Sequence, residues 1–156
     1  MNTGDLLAAF TTAVEQRNGT ALAALFTEDG VYHDVFYGSF AGRARIAALV
    51  GDWFYRDAAD FRWDMLEPVS DGRTLYARYL FSYRSTLPGA EPGRVIFEGV
   101  AIMRLRAGRI AEYREIANTG PALARLGFPP ERLIKLLRRE DAALRARTEA
   151  ARHLAP

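Results

Sequence analysis

The sequence predicts an α+β fold, with three amino-terminal helices ahead of a run of long strands and two helices closing the chain. Three observations carry this reading. Apolar residues recur at helical spacing over residues 5–16 and 43–58. Residues 61–118 instead read as strand segments cut by short, mostly Gly-containing turns. Pro121, Pro129 and Pro130 then mark the starts of two further helices. Helices first and strands afterwards is the order of an α+β domain, and long strands joined by short turns make an antiparallel meander.

In chain order, Asp5 to Gln16 places Leu6, Leu7, Phe10, Ala13 and Val14 on one helical face, and Asn18-Gly19 closes the segment. Thr20 is the expected cap of a short second helix, Ala21 to Phe26, ending at Glu28-Asp29-Gly30. GVYHDVFYG, residues 30–38, switches to a two-residue period and reads as a strand. Residues 43–58 return to helical spacing, with Ile46, Leu49, Val50, Trp53 and Phe54 on one stripe. Four strands follow: FRWDMLEPV, TLYARYLFSYRSTL, VIFEGVAIMRLR and IAEYREIAN. Thr119-Gly120-Pro121 opens a short helix to about Gly127, and Pro129-Pro130-Glu131 starts the last one. Its Leu133, Leu136, Leu137 and Leu144 form a side that either covers a cavity mouth or lies on a partner subunit.

At 156 residues one domain and one core are expected. The absence of cysteine excludes disulfides, thiolate nucleophiles and cysteine-ligated zinc. No apolar run is long enough to span a bilayer and the amino terminus has no signal-peptide pattern, so a cytoplasmic location is expected. The pI of about 9.1 suggests a nucleic-acid partner. The charge split argues against one: residues 119–156 hold eight Lys+Arg and four Asp+Glu, whereas residues 1–118 hold thirteen and fifteen. That tail alternates Arg with acids and reads as a solvated helix face. Neither His33 nor His153 has a second ligand at metal spacing, so neither a metal nor any other cofactor is expected.

Alternation sorts strand residues into two faces. Tyr79, Phe81 and Tyr83 share a face, as do Phe61, Trp63 and Met65. Tyr113 and Glu115 share another, and Tyr32, Asp34 and Phe36 go together on the opening strand, leaving His33 on the opposite side. Two acids from distant parts of the chain, Asp34 and Glu115, thus face one aromatic chamber.

NGTALAALFTEDGVYHDVFYGSFAGRARI and MRLRAGRIAEYREIANT resemble the SnoaL-like and ketosteroid-isomerase-like proteins of the nuclear transport factor 2-like superfamily. The likeness covers residues 1–118, and residues 119–156 form a helical extension. It implies a cone, with a curved antiparallel sheet wrapped on the three helices, and a homodimer. Asp34 falls where steroid isomerases of this kind carry their general base. Their oxyanion-hole tyrosine and aspartate correspond to Thr12 and Ala101, which cannot do that work. Glu115 resembles the last-strand acid of epoxide hydrolases and polyketide cyclases of this fold. The Arg and Asp that such hydrolases carry on the third strand are replaced by Tyr79 and Phe81.

The candidate catalytic residues are therefore Asp34 and Glu115, a pair in which burial and repulsion raise at least one pKa, unless an arginine neutralises either. Candidate substrate-binding residues are Tyr32, Phe36, Trp53, Tyr55, Trp63, Tyr79, Phe81, Tyr83, Phe97 and Tyr113; each is otherwise packing. His33 is expected at the surface or an interface, or else as a neighbour supporting the acids. Two function classes follow. One is a cofactor-independent isomerase, cyclase or dehydratase acting on an apolar small molecule, cyclic or open-chain; the other is a non-catalytic small-ligand-binding or dimerisation module.

Overall fold

The structure, a computed structural model, describes residues 2–155. Helix α1 spans Thr3–Glu15, and the Asn2 side chain caps it by accepting the Asp5 N–H at 2.9 Å. Its buried face is Leu6, Leu7, Phe10, Ala13 and Val14, as the spacing requires. Helix α2, Gly19–Ala24, is capped by Asn18 and not by Thr20: Asn18 Oδ1 accepts the Ala21 N–H at 2.9 Å. Arg17 turns the chain with φ 56°, so the second helix starts two residues early. Gly19 permits this, because a Cβ there would stand 2.1 Å from the Ala47 carbonyl oxygen.

Strand β1, Phe26–Asp34, also begins early. Glu28-Asp29-Gly30 is not a turn but an irregularity inside β1, between Phe26 and Val31. The strand ends at Asp34, and a tight turn leads into a strand the alternation did not separate, β2, Gly38–Ala41. Helix α3, Arg43–Ala48, widens into a π turn at Leu49–Trp53 and tightens at Phe54–Arg56. The π turn changes the phase of the stripe. Ile46, Leu49, Val50 and Phe54 stay buried, whereas Trp53 swings outward.

The meander follows as β3 Ala58–Ser70, β4 Thr74–Ser85, β5 Val95–Arg106 and β6 Arg109–Ala117. The sheet order is β2-β1-β6-β5-β4-β3. All neighbours are antiparallel except β1 and β6, which run parallel. Register shifts in β3, near Asp60 and Glu67 with φ of 54° and 52°, bend the sheet around the helices. Its inner face and α1–α3 enclose the core. Helices α4, Gly120–Ala124, and α5, Pro130–Arg145, then close one end.

Candidate active site

The parallel pairing of β1 with β6 creates the site. Tyr32 is opposite Tyr113 in that register, and two residues further along each strand come Asp34 and Glu115 on the same inner side. His33 therefore points outward, where Nδ1 meets Ser39 Oγ at 2.7 Å and Nε2 lies 3.2 Å from Glu112 Oε1. Asp34 is 9% exposed and does two jobs. Its Oδ1 accepts the N–H groups of Phe36 and Tyr37, each at 2.9 Å, which ends β1 and folds the turn. The carboxyl group also forms part of the wall of a cavity of about 270 Å³.

Glu115 lines the same cavity, and its Oε2 accepts two phenols, Tyr79 at 2.6 Å and Tyr113 at 3.0 Å. Tyr79 reaches it from two strands away by crossing Gly99, where a Cβ would stand 2.6 Å from the phenolic oxygen. Gly99 is a site residue that alternation could not reveal; the signal lies in the register Tyr79–Gly99–Ala117. Neither acid has an arginine among its hydrogen-bond partners.

Burial pushes Asp34 up to about 6, against the opposing pull of the two backbone N–H groups. Burial, and next the charge of Asp34, push Glu115 up to about 7 although the two phenols favour its ionised form. Both groups thus titrate near neutrality. Tyr32, Tyr79 and Tyr113 are driven well above the usual phenol range, chiefly by burial, and remain neutral donors. The Tyr32 hydroxyl and Trp63 Nε1 are buried with no hydrogen-bond partner in the protein.

Of the aromatic candidates, Tyr32, Phe36, Trp63, Phe81, Tyr83 and Phe97 line the cavity. Phe36 arrives there from the turn after β1 and not by strand alternation. Tyr79 and Tyr113 stand behind Glu115 as its donors. Trp53 and Tyr55 lie elsewhere. The π turn leaves Trp53 against Tyr37 and Phe40, 38% exposed, and the Tyr55 hydroxyl donates to the carbonyls of Val14 and Glu15 at the end of α1. The inward ring of α1 beside the site is Phe10, 5.1 Å from the Tyr113 ring, while Thr12 is exposed. Leu136 lines the chamber, one of the two places the sequence allows its helix face; Arg56 and the rest of the lining from the extension, Leu123, Leu126, Phe128, Arg132 and Arg139, were not expected there. The signal for Arg132 and Arg139 was their i, i+4, i+7 spacing with Leu136, obscured by their charge.

Among the described residues no group of three or more acidic or histidine side chains is placed to hold a metal ion, and no helix is long and apolar enough to cross a membrane.

Several solved structures share the fold. A protein from Catenulispora acidiphila DSM 44928 with a ketosteroid isomerase-like protein fold, in complex with trimethylamine, is 21% identical with a TM-score of 0.72, over 82% of this chain and 96% of that one. An LEH-like epoxide hydrolase from M. tuberculosis is 20% identical with a TM-score of 0.63, over 78% of this chain and 86% of that one. A protein described as a SnoaL-like polyketide cyclase from Shewanella putrefaciens CN-32 is 14% identical with a TM-score of 0.65, over 81% and 97%. No curated protein matches the sequence. The SnoaL-like domain family matches residues 7–113, which include Asp34 and β1 to β5 and end within β6, two residues before Glu115. The chain is thus a member of the SnoaL-like family, with the cone-shaped nuclear transport factor 2-like fold.

Proposed function

We propose that the protein is a cofactor-independent enzyme that moves protons on an apolar, cyclic small molecule, as an isomerase, cyclase or dehydratase does. The observation that carries this is the pair of raised, arginine-free carboxyl groups of Asp34 and Glu115 facing one aromatic cavity. Near neutral pH the pair holds about one proton. Asp34 in its ionised form takes a proton from a carbon next to a carbonyl, and the electron pair moves onto the carbonyl oxygen. Tyr83, a phenol that lines the chamber and stays neutral near pH 7, is the donor for that oxygen. Glu115, held in place by Tyr79 and Tyr113 and kept protonated by its burial and by the charge of Asp34, returns a proton elsewhere on the molecule.

Hydrogen–deuterium exchange at such carbons, followed by mass spectrometry on a panel of cyclic ketones in D2O, tests the proposal. Asp34→Asn should slow exchange by about a hundredfold or more. Exchange unaffected by Asp34→Asn and Glu115→Gln would remove the mechanism.

The aromatic lining favours a second reading, in which the chamber binds a ligand without turning it over. A ligand that co-purifies unchanged, with no exchange on any panel member, would favour it. We place either activity in the cytoplasm and in a homodimer formed through the outer sheet face.

A further inference from the structure

The chamber is acidic at its floor and basic at its mouth. Arg56, Arg132 and Arg139 all line it. Arg56 is paired with Asp57 at 2.8 Å. Arg132 and Arg139 have no carboxylate partner among the described residues. Neutral groups hold them instead. Arg132 lies with its guanidinium carbon 3.7 Å from the centre of the Phe128 ring, and an Arg139 Nη donates to the Phe36 carbonyl at 3.3 Å. They are seven residues apart on α5, about 10 Å along its axis, with Leu136 between them on the same face. A solvated helix face explains Lys135 and Arg138, which lie beside Ile134 in a separate groove. It does not explain two cations laid over the chamber's own lining.

We propose that the ligand is a ring-sized apolar carboxylate: its rings lie among Trp63, Phe81 and Phe97, and its carboxylate is held at the mouth by Arg132 and Arg139. This deepens the acid–base reading and rests on it for which end reacts. A guanidinium offers a carboxylate two parallel N–H donors, which an ammonium or a neutral amide cannot match. An anion pushed inward would meet Asp34 and Glu115 at low dielectric, so the molecule enters with its charge outward and its uncharged end at the acids. The volume agrees. A space of about 270 Å³ is at the small end of ligand pockets and takes two fused rings.

The full-length protein is titrated calorimetrically at pH 8 with naphthalene-2-carboxylate, its primary amide, naphthalen-2-ylmethylammonium and 2-naphthyl phosphate. The carboxylate should bind at least about tenfold more tightly than the amide. In Arg132→Gln/Arg139→Gln that preference should fall to about twofold or less with amide affinity unchanged; Arg132→Lys/Arg139→Lys should fall between, and a preserved melting temperature guards against misfolding. Equal affinity for acid and amide, tighter binding of the ammonium or the phosphate, a preference that survives the Gln variant, or no detectable carboxylate binding at millimolar concentration overturns the proposal. The two readings fail separately. An anion preference alongside unchanged exchange in Asp34→Asn sinks the acid–base reading alone, and exchange lost in Asp34→Asn without an anion preference sinks only this one.

Discussion

Glu115 owes its environment to a residue with no side chain. Gly99→Ala would set a methyl group 2.6 Å from both the Tyr79 hydroxyl and the Ile116 carbonyl, so the phenol or the strand must shift. The expected loss of stability is about 1–3 kcal/mol. Tyr79→Phe keeps the ring and removes only the hydrogen bond that favours ionised Glu115, so its carboxyl titration, followed by 13C NMR, should move upward. An unmoved titration would mean the phenol does not tune the acid. The same acids set a pH dependence. Asp34 and Glu115 have folded pKa values above their ordinary ones, so between about pH 4 and 7 the folded protein binds more protons than the unfolded chain. Stability falls as pH rises through that window and stays reduced above it. Asp34→Asn or Glu115→Gln should therefore stabilise the protein at pH 8 by about 2–3 kcal/mol, with the gain vanishing at pH 4 in thermal melts. Strand alternation made Asp34, Glu115 and the outward His33 legible in the sequence. Gly99 was not legible, because its role exists only once the register of three strands is known.

At the scale of elements, regular periods were readable and departures from them were not. The four meander strands lie close to where alternation puts them, and β5 matches its predicted span. Helix α3 begins on its expected stripe, but the π turn at Leu49–Trp53 carries Trp53 out of the core. β2 went unseen because the Asp34 side chain folds its turn with no glycine or proline in the three turn residues, Val35, Phe36 and Tyr37. In the extension the two expected helices are followed by a 3-10 turn, Thr148–Ala150, and a last short helix, Ala151–Leu154, which no proline or glycine announces; the extension's role at the chamber mouth depends on contacts distant in sequence. Helix α5 has no fully buried residue and is held largely through half-buried Leu133 and Leu136. Leu133→Ala/Leu136→Ala should therefore loosen α5 alone. Hydrogen exchange of α5 amides should rise at least about tenfold while β4 and β5 keep their protection. Protection lost equally across the sheet would show that α5 is part of the global folding unit.

For the whole molecule, the outer side of the sheet poses the remaining question, because α1–α3 cover only the inner side. Register brings Ile116 beside Val100, Val100 beside Arg78, and Tyr76 beside Ile102. Ile116 is 62% exposed, and Tyr76, Ile96 and Val100 are exposed with it, so an apolar band runs across the centre of a face whose charges include the Glu67–Arg78–Glu98 cluster. A band of that kind is costly to leave in water and suits a second copy of the same face about a two-fold axis, where each Ile116 meets apolar residues of the other chain. A dimer stable at micromolar concentration needs about 1,200–2,000 Å² of buried surface, and a pair of sheet faces is large enough to supply it. Sedimentation at 10 µM, a concentration chosen to match the micromolar range, should give the mass of two chains. Val100→Asp/Ile116→Asp should give one, with the ligand chamber intact because both side chains lie on the opposite side of the sheet from Asp34 and Glu115. A parent protein that sediments as a single chain would leave the apolar band without a partner and remove the second copy from the proposal.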